Sequence, residues 1–306
     1  MTLAATPPGL SHGRRALGKS GLTVAPIAWG MWRFKGSDVK AARTLVETAL
    51  DAGFDLLDTA DIYGPDNGEP FGAAEALLGR VLAEAPSLRD RFVLATKGGI
   101  EMGVPYNSSP AYLVSAVEAS LKRLGVERID LWQIHRPDHL AHPGEIAEAF
   151  TTLKAQGKVA EFGVSNHTAA QTAALSAHLP FPLASIQPEF SALAIDGLYD
   201  GVLDQALERG FAVLAWSPLA QGRLADPKEP KAVAVAAELA KVAERSGVSV
   251  AAAAYAWIMA HPTGAIPIVG SQQVARIREA ADALKVGFSR AEWYAVLTAA
   301  RGAPLP

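Results

Sequence analysis

The sequence of 306 residues contains no cysteine, which excludes disulfide bonds, a thiolate nucleophile and cysteine-ligated metals. The formal net charge is only -3 at pH 7, and no block of like charge is present. We therefore expect neither a nucleic-acid partner nor a membrane partner. The lack of cysteine fits a reducing compartment, and the N-terminus has no apolar segment typical of a signal peptide. Both features favour a cytoplasmic protein.

Long hydrophobic runs are also missing. The longest apolar stretch, "VSVAAAAYAWIMA", extends from Val248 to Ala260 and is too short and too rich in alanine to span a bilayer. We expect it to form a buried helix. Hydrophobic residues still make up 50% of the chain, which is enough for a sizeable core. No linker divides the chain, so we predict one domain over residues 14–306, preceded by a flexible tail at residues 1–13, and a monomer is favoured.

Short apolar segments alternate with longer segments of helical periodicity. The apolar residues of the short segments are consecutive, which is typical of a sheet buried on both faces. This pattern predicts a (β/α)8 TIM barrel, preceded by a hairpin that turns at Lys19–Gly21 and followed by an extra C-terminal helix. An open doubly wound sheet is the alternative, but no G-x-G-x-x-G follows the first strand. The predicted strands cover residues 24–32, 54–60, 91–97, 129–135, 160–166, 183–190, 211–218 and 265–271.

Four reactive side chains lie at the C-terminal ends of three predicted strands, where barrels of this kind build their active sites. Asp58 and Tyr63 lie in "DTADIYG", Lys97 in "ATKGG" and His135 in "QIHRPD". A neighbouring ammonium lowers the pKa of a phenol, and a carboxylate keeps that ammonium charged. A histidine can orient the oxygen that receives the proton. The set therefore predicts protonation of an oxygen that gains negative charge, as when a hydride adds to a carbonyl carbon.

Together with "GVSN" and "WSPLAQG", these motifs resemble the aldo-keto reductases from about Leu17 to about Ala283. The resemblance implies a barrel that reduces aldehydes or ketones with NADPH, with NADH possible, and without a metal. The catalytic tetrad of the family falls on Asp58, Tyr63, Lys97 and His135. The implied cofactor contacts are Ser165, Asn166 and Gln187 at the nicotinamide amide, Trp216 stacked on its ring, Ser217, Pro218, Leu219 and Gln221 along the pyrophosphate, and Ser271, Arg276 and Glu279 at the adenosine end.

Two further positions are assigned to the substrate pocket by the same resemblance, namely Trp32 and Arg136. Arg136 stands where several family members have an aromatic residue, and a cation there favours polar or anionic carbonyl substrates. The segment "IPIVGS" lacks the lysine of better-known members, and Glu279 is followed by Ala280 instead of asparagine. The preference for NADPH over NADH therefore rests mainly on Arg276.

Several alternatives remain open at this point. Taken singly, Trp32 and Trp216 could be core residues, and Arg276 could be a solvated helix residue. The segment "HRPDHLAH" brings histidines close together, but Pro137 and Pro143 argue against a continuous helix that would present them to a metal. Some relatives of the family are cofactor-sensing subunits of membrane channels. A regulatory subunit that binds NADP(H) with little turnover is therefore the second hypothesis.

Overall fold

The computed structural model describes residues 13–305, so the predicted tail lies outside the described residues except for Gly13. Eight parallel strands, β3 to β10, close into a barrel in which β10 pairs with both β9 and β3. This confirms the predicted fold class. The strands are β1 (Arg15–Ala16), β2 (Thr23–Val24), β3 (Ala28–Gly30), β4 (Leu56–Asp58), β5 (Val93–Gly98), β6 (Ile129–Ile134), β7 (Val159–Ser165), β8 (Ser185–Gln187), β9 (Ala212–Ala215) and β10 (Ile266–Val269).

Ten α-helices follow from the same sequence pattern within residues 13–305, and most of them alternate with the barrel strands. Asp38 and Thr168 cap the first and fifth helices through their side chains. The helices are α1 (Val39–Asp51), α2 (Ala73–Glu84), α3 (Pro110–Leu124), α4 (Pro143–Ala155), α5 (Ala169–His178), α6 (Val202–Arg209), α7 (Pro230–Ser246), α8 (Val250–Met259), α9 (Val274–Ala280) and α10 (Arg290–Arg301).

The barrel strands contribute to two separate apolar clusters, because neighbouring side chains on a strand point to opposite faces. Ala28 of β3 belongs to the smaller cluster, whereas the next residue, Trp29, belongs to the larger cluster that includes the helices. Leu17 and Val24 of the N-terminal hairpin join the smaller cluster. The hairpin therefore packs on the barrel, and the φ of +62° at Gly18 lets its turn approach the backbone of Ala184.

The long segment between β9 and β10 forms two helices. Gly247, with a φ of +64°, ends α7, and Ser249 caps α8. Helix α8 is almost completely buried, as its composition predicts. Trp257 of α8 stacks on Trp293 of α10 at a centroid distance of 4.8 Å, and each indole N–H donates to the backbone oxygen of the other residue. This contact attaches the extra C-terminal helix to the domain.

Most observed strands are shorter than the predicted ones at one end or at both. For example, the segment predicted as strand 183–190 pairs regularly only over Ser185–Gln187, because Pro188 has no N–H to donate. The residues beyond the strands form the loops at the mouth of the barrel. Within residues 13–305 we find no helix that combines the length and hydropathy needed to cross a bilayer.

A glycine in the sheet provides a test of the barrel packing. A Cβ at Gly163 of β7 would lie 2.1 Å from Ser185 Oγ, which donates to Gln133 Oε1 at 3.0 Å across the glycine. We expect Gly163→Ala to lower the free energy of unfolding by about 1–3 kcal/mol through overpacking. Gly287→Ala is the control, since nothing lies within 4 Å of its added Cβ, and we expect a change within about 0.5 kcal/mol. Equal stability of the two variants in urea unfolding would contradict this packing.

Candidate active site

The buried ion pair between Lys97 and Asp58 is the centre of the candidate site. Asp58 ends β4 and Lys97 lies near the end of the adjacent strand β5. Lys97 Nζ donates to Asp58 Oδ2 at 2.6 Å and to the backbone oxygen of Thr59 at 2.8 Å. Gln187 Nε2 donates to the other carboxylate oxygen of Asp58 at 3.0 Å. Residues from three strands or their ends therefore fix one pair of charges.

Lys97 is the only one of the predicted site residues that does not line the open cavity described below, and only 1% of it is exposed. Burial by itself lowers the pKa of Lys97, but the charge of Asp58 and, after it, Tyr63 raise it. The net direction is upward, so the side chain is an ammonium at neutral pH. The predicted role of Asp58, to keep this lysine charged, agrees with the geometry.

Tyr63 lies beside this ammonium in the loop after β4. Lys97 Nζ is 5.0 Å from the centroid of the Tyr63 ring, and the ring of His135 meets Tyr63 edge to face at 5.8 Å. Burial raises the pKa of Tyr63, Lys97 lowers it, and Asp58 raises it again, with a net upward direction. The expected downward net shift is therefore wrong for this structure, because burial outweighs the charge of Lys97. The phenol holds its proton at neutral pH.

His135 directly follows β6, and its backbone N–H donates to the oxygen of Gly98 at 2.8 Å. Burial lowers the pKa of His135 well below its ordinary value, and the charges of Lys97 and Arg136 lower it further. The imidazole is therefore neutral near pH 7. Its Nδ1 atom has no hydrogen-bond partner among residues 13–305. A neutral imidazole can offer one N–H to a substrate oxygen.

A hydrogen-bond chain connects the ends of β7, β8 and β9. The Trp216 indole N–H donates to Asn166 Oδ1 at 3.0 Å, and Asn166 Nδ2 donates to Ser165 Oγ at 2.9 Å. Ser165 Oγ in turn donates to the backbone oxygen of Gln187 at 2.9 Å. Trp216 is therefore held by polar contacts at the mouth of the barrel as well as by packing, so the simple core interpretation is excluded.

Strained backbone is concentrated in the same region. Among residues 13–305, the non-glycine residues with positive φ are Asn166 (+59°), Ser217 (+50°), Ala220 (+50°) and Gln221 (+60°). Such conformations cost about 1–3 kcal/mol each and persist where the surroundings determine them strongly. Three of the four belong to the loop after β9 that the sequence assigns to a pyrophosphate.

These groups line or adjoin one continuous cavity of about 1140 Å³. It lies at the C-terminal ends of the strands, where this fold places its sites. Arg276, which the sequence left open as a solvated residue, lies on α9 at this cavity and is itself exposed. The predicted residues that line it are Trp32, Asp58, Tyr63, His135, Arg136, Ser165, Asn166, Gln187, Trp216, Ser217, Pro218, Leu219, Gln221, Ser271, Arg276 and Glu279.

The cavity fits a dinucleotide in size and lining. It exceeds the volume of about 300–1,000 Å³ that is common for small-ligand pockets. An aromatic ring, carboxamides, a loop of strained backbone, Ser271 and Arg276 all line it. The backbone oxygen of Ser271 accepts from the Trp29 indole at 2.9 Å, which ties this part of the lining to β3. These residues could hold a nicotinamide cofactor.

No group of three or more histidine, aspartate or glutamate side chains within residues 13–305 is arranged to hold a metal ion. The histidines of "HRPDHLAH" separate in the structure. His142 caps α4 by accepting from the Gly144 N–H at 3.1 Å and meets the ring of His178, whereas His135 lies at the cavity. His139 shares no hydrogen bond with either.

A second buried cluster, for which the sequence contains no motif, packs against the site. Glu75 of α2 accepts from Thr96 Oγ1 at 2.5 Å and from Arg123 Nε at 2.7 Å. Thr96 precedes Lys97, and the Asp61 N–H donates to the backbone oxygen of Lys97 at 2.9 Å. Burial and the charge of Glu75 raise the pKa of Asp61 well above its ordinary value. These contacts fix the backbone on both sides of the catalytic candidates.

Sequence reasoning also missed three charged residues at the mouth of the cavity, namely Arg33, Lys35 and Asp66. They lie in the loops after β3 and β4 and belong to no motif. Their proximity to Trp32 and Tyr63 in the chain is the signal that was available.

The closed eight-stranded barrel thus places a tyrosine and a histidine at a dinucleotide-sized cavity, with a buried lysine beside the tyrosine. A family model described as "Aldo/keto reductase family" matches residues 26–300. The chain belongs to the aldo/keto reductase family.

Individual relatives agree with this assignment. A protein of Novosphingobium aromaticivorans named 6-dehydroglucose reductase is 56% identical over 95% of this chain and 97% of its own length. An uncharacterized oxidoreductase of Bacillus subtilis, YcsN, is 36% identical over 93% of this chain and 97% of its own. The crystal structure of the thermostable aldo-keto reductase Tm1743 with the inhibitor epalrestat shares the fold with a TM-score of 0.81 at 22% identity, over 94% of this chain and 99% of that one.

The central ion pair can be tested by Asp58→Asn, which keeps the shape of the side chain but removes its charge. Lys97 then becomes a buried cation without a counter-charge, and we expect a loss of about 3–5 kcal/mol in the free energy of unfolding. Asp90→Asn is the control, because Asp90 is exposed, and we expect a change within about 0.5 kcal/mol. Urea unfolding at pH 7 measures both. Wild-type stability of Asp58→Asn would contradict the assigned role of the pair.

Proposed function

We propose that this protein reduces an aldehyde or ketone to the alcohol with NADPH, reversibly, and that Tyr63 supplies the proton. The observation that carries the proposal is the meeting of Tyr63, His135 and the Lys97–Asp58 pair at one cavity with the nicotinamide-binding candidates Asn166 and Trp216. Family membership independently supports carbonyl reduction. The site residues of this chain have roles that follow from their positions.

The bound nicotinamide supplies the hydride, and the barrel supplies position and charge. Tyr63 retains its proton at neutral pH because its pKa is raised, so it is ready to protonate an oxygen that becomes negative. His135 is neutral and can donate a hydrogen bond that orients the same oxygen. Lys97 places a positive charge beside the phenolate that forms, and Asp58 holds Lys97 in place.

For the cofactor, we propose that Ser165, Asn166 and Gln187 bind the carboxamide of the nicotinamide and that Trp216 stacks on its ring. The loop from Ser217 to Gln221 would follow the pyrophosphate. At the far end, Arg276 on α9 can grip a 2′-phosphate as a bidentate donor, with Ser271 beside it and Glu279 on the same helix. NADPH is therefore the proposed cofactor, and NADH is the alternative that the titration described below tests.

The first substrate to test is 6-dehydroglucose, the aldehyde in the name of the relative that is 56% identical. A protein of Agrobacterium fabrum that is 35% identical has the same name. We propose that the substrate is a small polar carbonyl compound. We further propose that the enzyme is a monomer and that it lies in the cytoplasm, which the lack of cysteine fits.

A regulatory role has one supporting observation. A protein of Schizosaccharomyces pombe named as a putative voltage-gated potassium channel subunit beta is 27% identical over 87% of this chain. The oxidoreductase names belong to relatives of higher identity, so turnover is the stronger proposal. Steady-state reduction of an activated aldehyde separates the two roles.

The proton donor is tested by Tyr63→Phe, which removes one oxygen atom. We expect kcat to fall by about 10²–10⁴-fold, the usual contribution of general acid catalysis, while NADPH still binds with wild-type affinity. Tyr199→Phe is the control, because Tyr199 is 59% exposed and does not line the cavity. Turnover is followed by NADPH absorbance and binding by fluorescence quenching. Wild-type turnover of Tyr63→Phe would exclude this mechanism.

The cofactor choice is tested by titrating NADPH and NADH in parallel. We expect Arg276→Gln to raise the dissociation constant of NADPH by about 10–100-fold through loss of a charge-assisted hydrogen bond, with little effect on NADH. Arg278→Gln on the same exposed helix is the control, because Arg278 does not line the cavity. If Arg276→Gln weakens both cofactors equally, Arg276 does not read the 2′-phosphate.

A further inference from the structure

The substrate end of the cavity carries more positive than negative charge. Arg33 and Lys35 lie in the loop after β3, and Arg136 follows His135 after β6, and all three line the cavity. Of the carboxylates that line this end, Asp58 is neutralised by Lys97, which leaves Asp66 as the opposing charge within the described chain. Three cations therefore face one carboxylate where a substrate must enter.

The three cations have no carboxylate of residues 13–305 within ion-pair distance. The Arg33 guanidinium lies 4.6 Å from the centroid of the Trp32 ring, and that of Arg136 lies 5.7 Å from the centroid of Trp216. Lys35 Nζ donates to the backbone oxygen of Asn67 at 3.4 Å. These contacts orient the side chains without an ion pair. The charge of Arg136 also acts on the more distant carboxylate of Glu189, where it opposes the rise in pKa that burial causes.

Backbone and side-chain contacts hold the loop that presents Arg33 and Lys35. Asn67 Nδ2 donates to the backbone oxygen of Trp32 at 2.6 Å. The Trp32 indole N–H donates to Asp66 Oδ2 at 3.4 Å, which directs that carboxylate to a neutral partner. Arg80 of α2 donates to the backbone oxygens of Gly36 and Ser37 at 3.2 and 3.3 Å. The loop is therefore fixed at the mouth.

Arg136 differs from the other two cations in its depth. It is half-buried, whereas Arg33 and Lys35 are exposed. Its charge is near enough to lower the pKa of His135 and to oppose the rise in the pKa of Tyr63. A charge in this position is screened less by solvent than one at the rim. Arg136 is thus the cation that a bound substrate can reach.

We propose that the site selects carbonyl substrates that carry a second, anionic group, namely a carboxylate, phosphate or sulfonate. Arg136 binds this group, and Arg33 and Lys35 attract it to the mouth. A guanidinium matches such oxygen pairs in geometry, and uncompensated rim charges raise the association rate of an anion. The inference rests on the proposed function and narrows it, because carbonyl compounds with an anionic group are then reduced in preference to neutral ones such as 6-dehydroglucose.

The experiment compares two aldehydes of the same shape, 4-carboxybenzaldehyde and its neutral amide, 4-carbamoylbenzaldehyde, at pH 7. We expect kcat/KM to be about tenfold higher for the carboxylate, as one charge-assisted hydrogen bond allows, with most of the difference in KM. The ratio of the two kcat/KM values should fall as NaCl rises from about 0.05 to about 0.5 M, because salt shortens the distance over which charges interact. Glyceraldehyde 3-phosphate against glyceraldehyde shows whether a phosphate is preferred as well.

Variants identify the residues that cause the preference for the anionic aldehyde. Arg136→Gln should abolish the ratio between the two benzaldehydes, whereas Arg33→Gln with Lys35→Gln should leave a reduced ratio and remove most of its salt dependence. The control is Lys122→Gln with Arg209→Gln, which removes two exposed cations from the last turns of α3 and α6. The control should retain the wild-type ratio.

A binding measurement keeps the two proposals separable. The dissociation constants of the two benzyl alcohol products are measured by calorimetry with the enzyme and NADP⁺. Equal constants and equal kcat/KM for acid and amide overturn the charge selection while carbonyl reduction stands. If neither aldehyde is reduced, the proposed function fails, and the ratio of the dissociation constants still decides whether the mouth selects anions.

Discussion

The arrangement of the site depends on the buried contact between Lys97 and Asp58. A pair of charges without water is stable only if its remaining hydrogen-bonding groups are satisfied, and here the backbone of Thr59 and the amide of Gln187 do this. The partners come from β4, β5 and β8, which do not all touch one another, so the pair requires a closed barrel. Closure of the sheet and placement of the two buried charges are therefore the same constraint.

The ion pair also decides the protonation of its neighbours. Because Asp58 compensates much of the charge of Lys97, that charge is too small to overcome the effect of burial on the pKa of Tyr63. Burial likewise keeps His135 neutral. Both side chains therefore carry a proton at neutral pH.

Sequence reasoning located the strands and the strand-end residues because the barrel repeats a simple rule, in which an apolar strand ends in functional residues. This rule predicts that Asp58, Lys97 and His135 lie at the same end of the barrel. The rule could not predict whether the pKa of Tyr63 is raised or lowered, because the shift depends on how much solvent the folded loops exclude. Nor could it bring Arg33 together with Arg136, since loops without a motif become neighbours only when the barrel closes.

The strained backbone shows how the cavity is kept in shape. Asn166, Ser217, Ala220 and Gln221 have positive φ, a conformation that persists in such residues only where other contacts stabilise it. The side chain of Asn166 makes such contacts, because it forms hydrogen bonds with the Trp216 indole, Ser165 and the backbone of His135. The same amide that aligns the aromatic ring thus also fixes the strand end that carries His135 and Arg136. The orientation of the Trp216 ring and that of the strand end before His135 and Arg136 therefore depend on one side chain, and the left-handed backbone of Asn166 accompanies these contacts.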